Sequence, residues 1–231
     1  MPVREKFEAG LKELQGKLTE LGEFSIQALQ RSLAALETQN IEMALEIIDD
    51  DAKADRLYEE INDFAILLIA KQAPVAIDLR RIIVGIKIAT DIERIADFAV
   101  NIAKATIRIG NQDLVKPMVH VKKMLEITNE MLRLSLNAYN EEDTRLARKI
   151  AEMDDEVDSL NKQAFMELFE ISKNKPEYLH QISQLTFVCR YLERAADHTT
   201  NIAENIFYLV KGRQYDWYKN KATGINNKFL L

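Results

Sequence analysis

Residues 87–106, KIATDIERIADFAVNIAKAT, decide the fold, because the chain repeats them at 187–206 as FVCRYLERAADHTTNIAENI. In both copies Glu, Arg, Ala and Asp occur in the same order and spacing, and Asn-Ile-Ala follows. A repeat that preserved only a core would match apolar positions, whereas here carboxylates and an amide are matched. The repeated unit is therefore predicted to carry a repeated polar site.

The composition of the 231-residue chain favours long helices in two similar halves. Seven glycines and four prolines are few for a turn-rich β architecture. The net charge of −6 disfavours nonspecific binding to nucleic acid or an anionic membrane. Cys189 is the single cysteine, which excludes an intrachain disulfide and fits a reducing cytoplasm. We expect neither a signal peptide nor a membrane span, because no apolar run approaches roughly 20 residues.

Apolar residues recur at helical spacing along most of the chain, with few interruptions. The breaks are an N-cap at 38–40, a turn at Pro74, a stop at 110–117 and a turn at 172–176. The predicted helices span about 4–37, 41–72, 75–109, 117–139, 142–172 and 177–211. We predict an all-α fold of two tandem three-helix bundles, residues 1–112 and 113–212. Residues 213–231, including Trp217, form a tail expected to pack on a partner or to fray.

Each predicted half carries two acidic pairs spaced i, i+4, one on its second helix and one on its third. They are Asp51, Asp55, Glu93 and Asp97, the first quartet, and Asp154, Asp158, Glu193 and Asp197, the second quartet. Helices joined by a short turn run antiparallel, so residues equally far from the turn lie side by side. Pro74 lies midway between the facing pairs of the first quartet, and Pro176 is close to the midpoint of the second. At about 100° per residue, the acids also share one side of their apolar stripes, so each quartet should converge on one surface patch.

Four converging carboxylates repel one another unless positive charge lies nearby, supplied by basic side chains or by a bound cation. Arg94 and Arg194 lie about 100° from the adjacent glutamates and need not neutralise the patches, which makes a cation the simpler account. An all-oxygen ligand set, extended by Asn101 or Asn201, suits Mg, Mn, Ca or ferric iron. Zinc is less favoured without His or Cys ligands. The alternative is that the acidic pairs are only solvated helix faces.

The isolated histidines, His120, His180 and His198, are expected to be surface or structural residues. Methionine and aromatic residues are expected to fill the core. No nucleophile–base constellation is evident in the sequence. The quartets are therefore the only candidate site that the sequence offers.

The segment 78–104, DLRRIIVGIKIATDIERIADFAVNIAK, resembles the PhoU family of phosphate-specific transport system accessory proteins, and ERAADHTTNIAENI at 193–206 is similar to that family's second repeat. The resemblance covers residues 1 to about 212. It implies tandem three-helix bundles whose E/D-x-x-x-D pairs hold metal ions on the surface, and these pairs map onto the two quartets. Asp78-Leu79-Arg80 matches a family motif, whereas Tyr178-Leu179-His180 departs from it in the second half.

Members of that family are cytoplasmic, commonly homodimeric and not enzymes. The resemblance implies a regulator of inorganic phosphate uptake and of phosphate-starvation signalling. Its implied partners are the ATPase subunit of the phosphate ABC importer and a membrane sensor histidine kinase. The sequence shows no helix-turn-helix with a basic recognition helix, which fits control through protein contacts rather than through nucleic acid. Two other classes stay open, a metal-dependent hydrolase using clustered carboxylates and a purely structural helical scaffold.

Overall fold

The computed structural model describes residues 3–214, which form six long helices. They are α1 Val3–Thr38, α2 Ile41–Gln72, α3 Ala76–Ile109, α4 Val119–Glu141, α5 Thr144–Asn174 and α6 Leu179–Lys211. A short 3₁₀ helix, Pro176–Tyr178, leads into α6. The predicted all-α fold of six helices is confirmed. The tail prediction, apart from residues 213 and 214, lies outside the described residues.

Local polar contacts begin and end these helices where the sequence indicates a break. Oδ1 of Asn40 accepts a hydrogen bond from the backbone N–H of Met43 at 2.9 Å and caps the start of α2. Asp143 caps α5 in the same way, through the N–H of Arg145 at 2.7 Å. Gly110 ends α3 with φ of 71°, a conformation that glycine adopts without steric cost.

The connection between the halves stays non-helical for longer than predicted, because α4 begins at Val119 rather than at 117. The side-chain amide of Gln181 on α6, which is 1% exposed, binds this connection. Its Oε1 accepts from the N–H of Val115 at 2.7 Å, and its Nε2 donates to the carbonyl of Asp113 at 3.1 Å. These two bonds use backbone groups of the connection in contacts with α6, and the helix starts beyond them.

The two halves share one hydrophobic core. Within each half the three helices pack against one another, and α3 packs on α6 and α1 on α4 across the halves. Buried apolar side chains from all six helices form one continuous cluster. The division at residue 112 therefore stays a prediction about repeat boundaries, while the packing makes residues 3–214 one body.

A close approach at Gly85 positions α3 against α1 and α4. A Cβ atom at Gly85 would lie 2.8 Å from the hydroxyl of Tyr139 and 3.2 Å from a methyl group of Leu14. The same hydroxyl donates a hydrogen bond to the carbonyl of Arg81 at 2.9 Å. A side chain at position 85 would therefore push three helices apart at their junction.

α3 and α6 run antiparallel, with the start of each beside the end of the other. Arg80 Nη1 donates to the carbonyl of Leu209 at 3.0 Å, and His180 Nε2 lies 3.0 Å from the carbonyl of Arg108. These contacts satisfy carbonyl groups in the last turn of each helix. In the second half, where the Asp-Leu-Arg motif is not kept, His180 stands at the position of Arg80. The contact with a helix-end carbonyl is thus preserved, with an imidazole in place of a guanidinium. None of the described helices combines the length and apolar content of a membrane span.

Candidate metal-binding clusters

The first quartet lies where α2 faces α3. Burial raises the pKa of Glu93, and the charge of Asp97 raises it further, followed by those of Asp55 and Asp51 on α2. Burial also raises the pKa of Asp51, with Asp55 and then Asp97 acting in the same direction. Carboxylates on the two helices thus lie within range of one another's charge, as the antiparallel arrangement predicts.

Arg94 lies against two members of the first quartet. Its Nη1 is 2.8 Å from Oδ2 of Asp97, and its Nε is 3.4 Å from Oε2 of Glu93. Arg94 therefore compensates part of the charge of the first quartet, although the pKa values of Glu93 and Asp51 stay raised. Although Arg94 points about 100° away from Glu93 at its Cα, it shares a helix face with the residue three positions later, and its long side chain reaches both acids.

The second quartet includes two deeply buried acids, with Asp154 2% exposed and Glu193 9% exposed. Burial raises the pKa of Glu193, and the charges of Asp197 and Asp158 act in the same direction. Arg190 Nη1 donates to Oε1 of Glu193. Oε2 of Glu193 is buried and has no hydrogen-bond partner among the described residues. An unpaired buried carboxylate oxygen is energetically costly unless positive charge approaches it.

The side chain of Arg194, the repeat equivalent of Arg94, contacts an aromatic ring of the other half. Its guanidinium lies over the ring of Phe98 on α3, with 5.0 Å between the guanidinium carbon and the ring centroid. Its charge still lowers the pKa of Glu193, after the larger effect of Arg190. The two halves therefore treat equivalent arginines differently, which the sequence repeat alone does not indicate.

Both quartets match a hard cation in donor type, because they offer only carboxylate oxygen. In the second quartet, Oε1 of Glu193 accepts from Arg190, whereas Oε2 is buried without a hydrogen-bond partner among the described residues. Within residues 3–214, no group of three or more Asp, Glu, His or Cys side chains has the arrangement of a formed metal site. The assignment of all eight acids as metal ligands stays a prediction.

Asn201, one of the two predicted extra ligands, and the histidines have partners of their own. Nδ1 of His198 lies 2.9 Å from Oδ1 of Asp91 on α3, and Nε2 of His120 lies 2.9 Å from Oε1 of Glu167. Asn201 turns its amide toward Asp91, with Nδ2 at 3.5 Å from the same carboxylate oxygen. The structural role expected of the histidines agrees with these contacts.

Sequence reasoning missed Arg94 and Arg190 as partners of the acids. Each of these arginines precedes an acidic residue by three positions, the spacing of an ion pair on one helix face, so the pattern was available. The contact of Arg80 with Leu209 had no such local pattern. It joins residues 129 positions apart and depends on how α3 meets α6.

Comparisons with known proteins find one domain family along both halves of the chain. The PhoU domain matches residues 18–106 and 121–206, once in each half. A phosphate-specific transport system accessory protein PhoU homolog from Clostridium acetobutylicum is 40% identical over 218 residues, covering 93% of this chain and 98% of that protein. The homolog of the same name from Aquifex aeolicus is 37% identical over 202 residues, covering 87% and 91%.

Two crystal structures share the fold over nearly their whole length. The phosphate transport system regulatory protein PhoU from Streptococcus pneumoniae superposes with a TM-score of 0.84 at 28% identity, covering 91% of this chain and 99% of that one. PhoU from Pseudomonas aeruginosa gives a TM-score of 0.83 at 28% identity, covering 90% and 100%. The similarity therefore extends across both repeats and their relative placement.

Proposed function

Because the chain belongs to the PhoU family, we propose that it is an accessory protein of a phosphate-specific transport system and regulates the uptake of inorganic phosphate. The observation that carries this proposal is similarity to proteins of that name over both repeats and the helices that join them. The relatives are named as accessory proteins, and the chain is a regulator rather than an enzyme.

The proposed partners are the ATPase subunit of the phosphate ABC importer and a membrane sensor histidine kinase, contacted on the cytoplasmic side of the membrane. The tagged full-length chain is expected to capture both from cells grown with ample phosphate. The ATPase subunit of an unrelated ABC importer serves as the control and should not be captured. Failure to capture either partner contradicts the proposal.

A homodimer is the proposed assembly. Multi-angle light scattering is expected to give twice the 26.6 kDa of one chain. A single species at the mass of one chain, over a range of concentrations, contradicts it.

The two quartets are proposed to hold hard metal ions, Mg, Mn, Ca or Fe. Such an ion supplies the positive charge that clustered carboxylates and the orphaned Oε2 of Glu193 require. Elemental analysis of protein purified without chelator is expected to find the metal. Replacing the acids of one quartet by Asn and Gln should remove its metal and the associated gain in stability. A scaffold without metal predicts the reverse, a more stable protein once the repulsion is relieved.

The hydrolase alternative is separated from the accessory role by turnover. It requires metal-dependent cleavage of a phosphoester that is lost in Glu93→Ala or Asp197→Ala. The accessory role predicts no such turnover in the wild-type protein.

A further inference from the structure

Arg94 and Arg194 occupy the same position of the repeat, and Arg94 bridges the i, i+4 acids of its own helix. It contacts Asp97 at 2.8 Å and Glu93 at 3.4 Å. Arg194 instead lies over the ring of Phe98, on the other half. Arg94 thus sits between the two α3 acids of the first quartet, where a bound cation would also have to place its charge.

The ring that Arg194 contacts differs in chemistry from its repeat counterpart. The repeat relates Phe98 to His198, so the ring offered to Arg194 by α3 has an imidazole as its counterpart on α6. The face of a phenyl ring attracts a guanidinium group. His198 is engaged with Asp91 at 2.9 Å, and Arg94 turns along its own helix to the acids.

We infer that Arg94 is a built-in counter-cation of the first quartet and competes with a metal ion for Glu93 and Asp97. Metal binding at this quartet then requires the Arg94 side chain to leave both carboxylates. The side chain is 55% exposed, so it can swing into solvent without repacking the core. The first quartet keeps a partly compensated charge when metal is scarce and exchanges Arg94 for metal when metal is abundant. This inference rests on the proposed metal binding and deepens it.

The test measures binding of Mn²⁺ alone to the full-length chain by electron paramagnetic resonance. Glu193→Gln with Asp197→Asn disables the second quartet and leaves the first as the site under test. Adding Arg94→Gln to this background is expected to tighten Mn²⁺ binding about tenfold, the equivalent of one charge-assisted hydrogen bond that no longer has to be broken. Arg94→Lys keeps a charge that cannot bridge two carboxylates and should give an intermediate affinity.

The matched control is Arg194→Gln in the same background, which removes the equivalent arginine from the other half. It is expected to change Mn²⁺ affinity less than about twofold, because Arg194 is held over Phe98 and the first quartet is the site being measured. Circular dichroism checks that every variant keeps its helices.

Unchanged or weaker Mn²⁺ binding in Arg94→Gln overturns the role of Arg94, whereas binding by the background protein upholds the metal site itself. Absence of Mn²⁺ binding in the wild-type chain and in all variants overturns both. A tightening of equal size in Arg194→Gln also overturns the inference, because it reports only a general change of surface charge.

Discussion

Nδ1 of His198 on α6 lies 2.9 Å from Oδ1 of Asp91 on α3. The repeat relates this pair to Phe98 and Tyr191, whose rings stack with their centroids 6.1 Å apart. The same two positions of the repeat therefore meet twice across the halves, once through a hydrogen bond and once through aromatic stacking. The contact between the halves follows an approximate twofold relation that the side chains satisfy with different chemistry.

Replacing Asp91 by Ala is expected to cost about 1 kcal/mol of unfolding free energy, because His198 loses its partner in a half-buried place. Asp91→Tyr together with His198→Phe copies the Tyr191–Phe98 pair and should recover a similar amount. Urea unfolding of Asp91→Tyr, of His198→Phe and of the double variant measures the coupling between the two positions. Strictly additive effects would show that the two positions do not depend on each other.

Arg80→Ala is expected to destabilise the protein by about 1–2 kcal/mol, and His180→Ala by less than about 1 kcal/mol. Both side chains contact a carbonyl in the last turn of the helix from the other half, but Arg80 also lies over the ring of Tyr208, at 5.4 Å from its centroid. Urea unfolding gives the ranking, and hydrogen exchange should show faster opening at the end of α6 in Arg80→Ala. Equal losses for the two variants would argue against the added contribution of Tyr208.

Glu193 is expected to make the metal-free protein less stable as pH rises. Burial raises the folded-state pKa of this carboxyl above its ordinary value of 4.5, so the folded state binds the proton more tightly than the unfolded state does. The stabilisation by this proton is fully present below the ordinary pKa and is lost as pH rises through the raised folded-state pKa.

Glu193→Gln should remove that part of the pH dependence and leave the metal-free protein more stable at neutral pH, by on the order of 1 kcal/mol. Urea unfolding in the presence of a chelator, from mildly acidic to neutral pH, measures the effect. The exposed Glu152→Gln is the control for loss of one negative charge. An identical change in both variants would show that burial of Glu193 is not the cause.

Cys189 should be inert to thiol reagents in the folded protein at mildly alkaline pH. The side chain is 1% exposed, and burial raises its pKa to about 12, so little thiolate is present and little of it is reachable. Ellman's reagent is expected to label the thiol only at the rate of unfolding, and at once in denaturant. Fast labelling without denaturant would mean that α6 opens locally around this residue.

The acidic quartets show how far periodicity reaches. The i, i+4 spacing placed each pair on one helix face, and the shared midpoint at Pro74 placed Asp51 and Asp55 level with the acids of α3. The mutual effects of these acids on the pKa values of Glu93 and Asp51 agree with that placement. Both deductions depend only on helix geometry and a short turn, which are local properties of the chain.

The direction taken by the arginines shows where local reasoning stops. Arg94 and Arg194 have the same neighbours along the sequence, Glu before and Asp after, yet one bridges its acids and the other lies over Phe98. A long flexible side chain has several rotamers of similar energy. The contact that selects one of them comes from the other half of the chain.

The connection that precedes α4 is a second example of a contact with a distant part of the chain. Pro117 is a suitable first residue of a helix, and the sequence predicts the start there. Gln181 holds the preceding backbone through Val115 and Asp113, and the helix begins at Val119. Gln181, which binds the backbone before α4, lies on α6, far along the chain.

The sequence by itself determined the six helices and the duplication, and it predicted the gathering of acids on one face of each half, because apolar spacing, caps and turns act between residues close along the chain. Only the tertiary structure decided that α3 and α6 pack antiparallel with Asp91 against His198 and that both halves share one core. Contacts between distant residues depend on the shapes and charges of two surfaces at once, and a pattern along one helix carries information about only one of them.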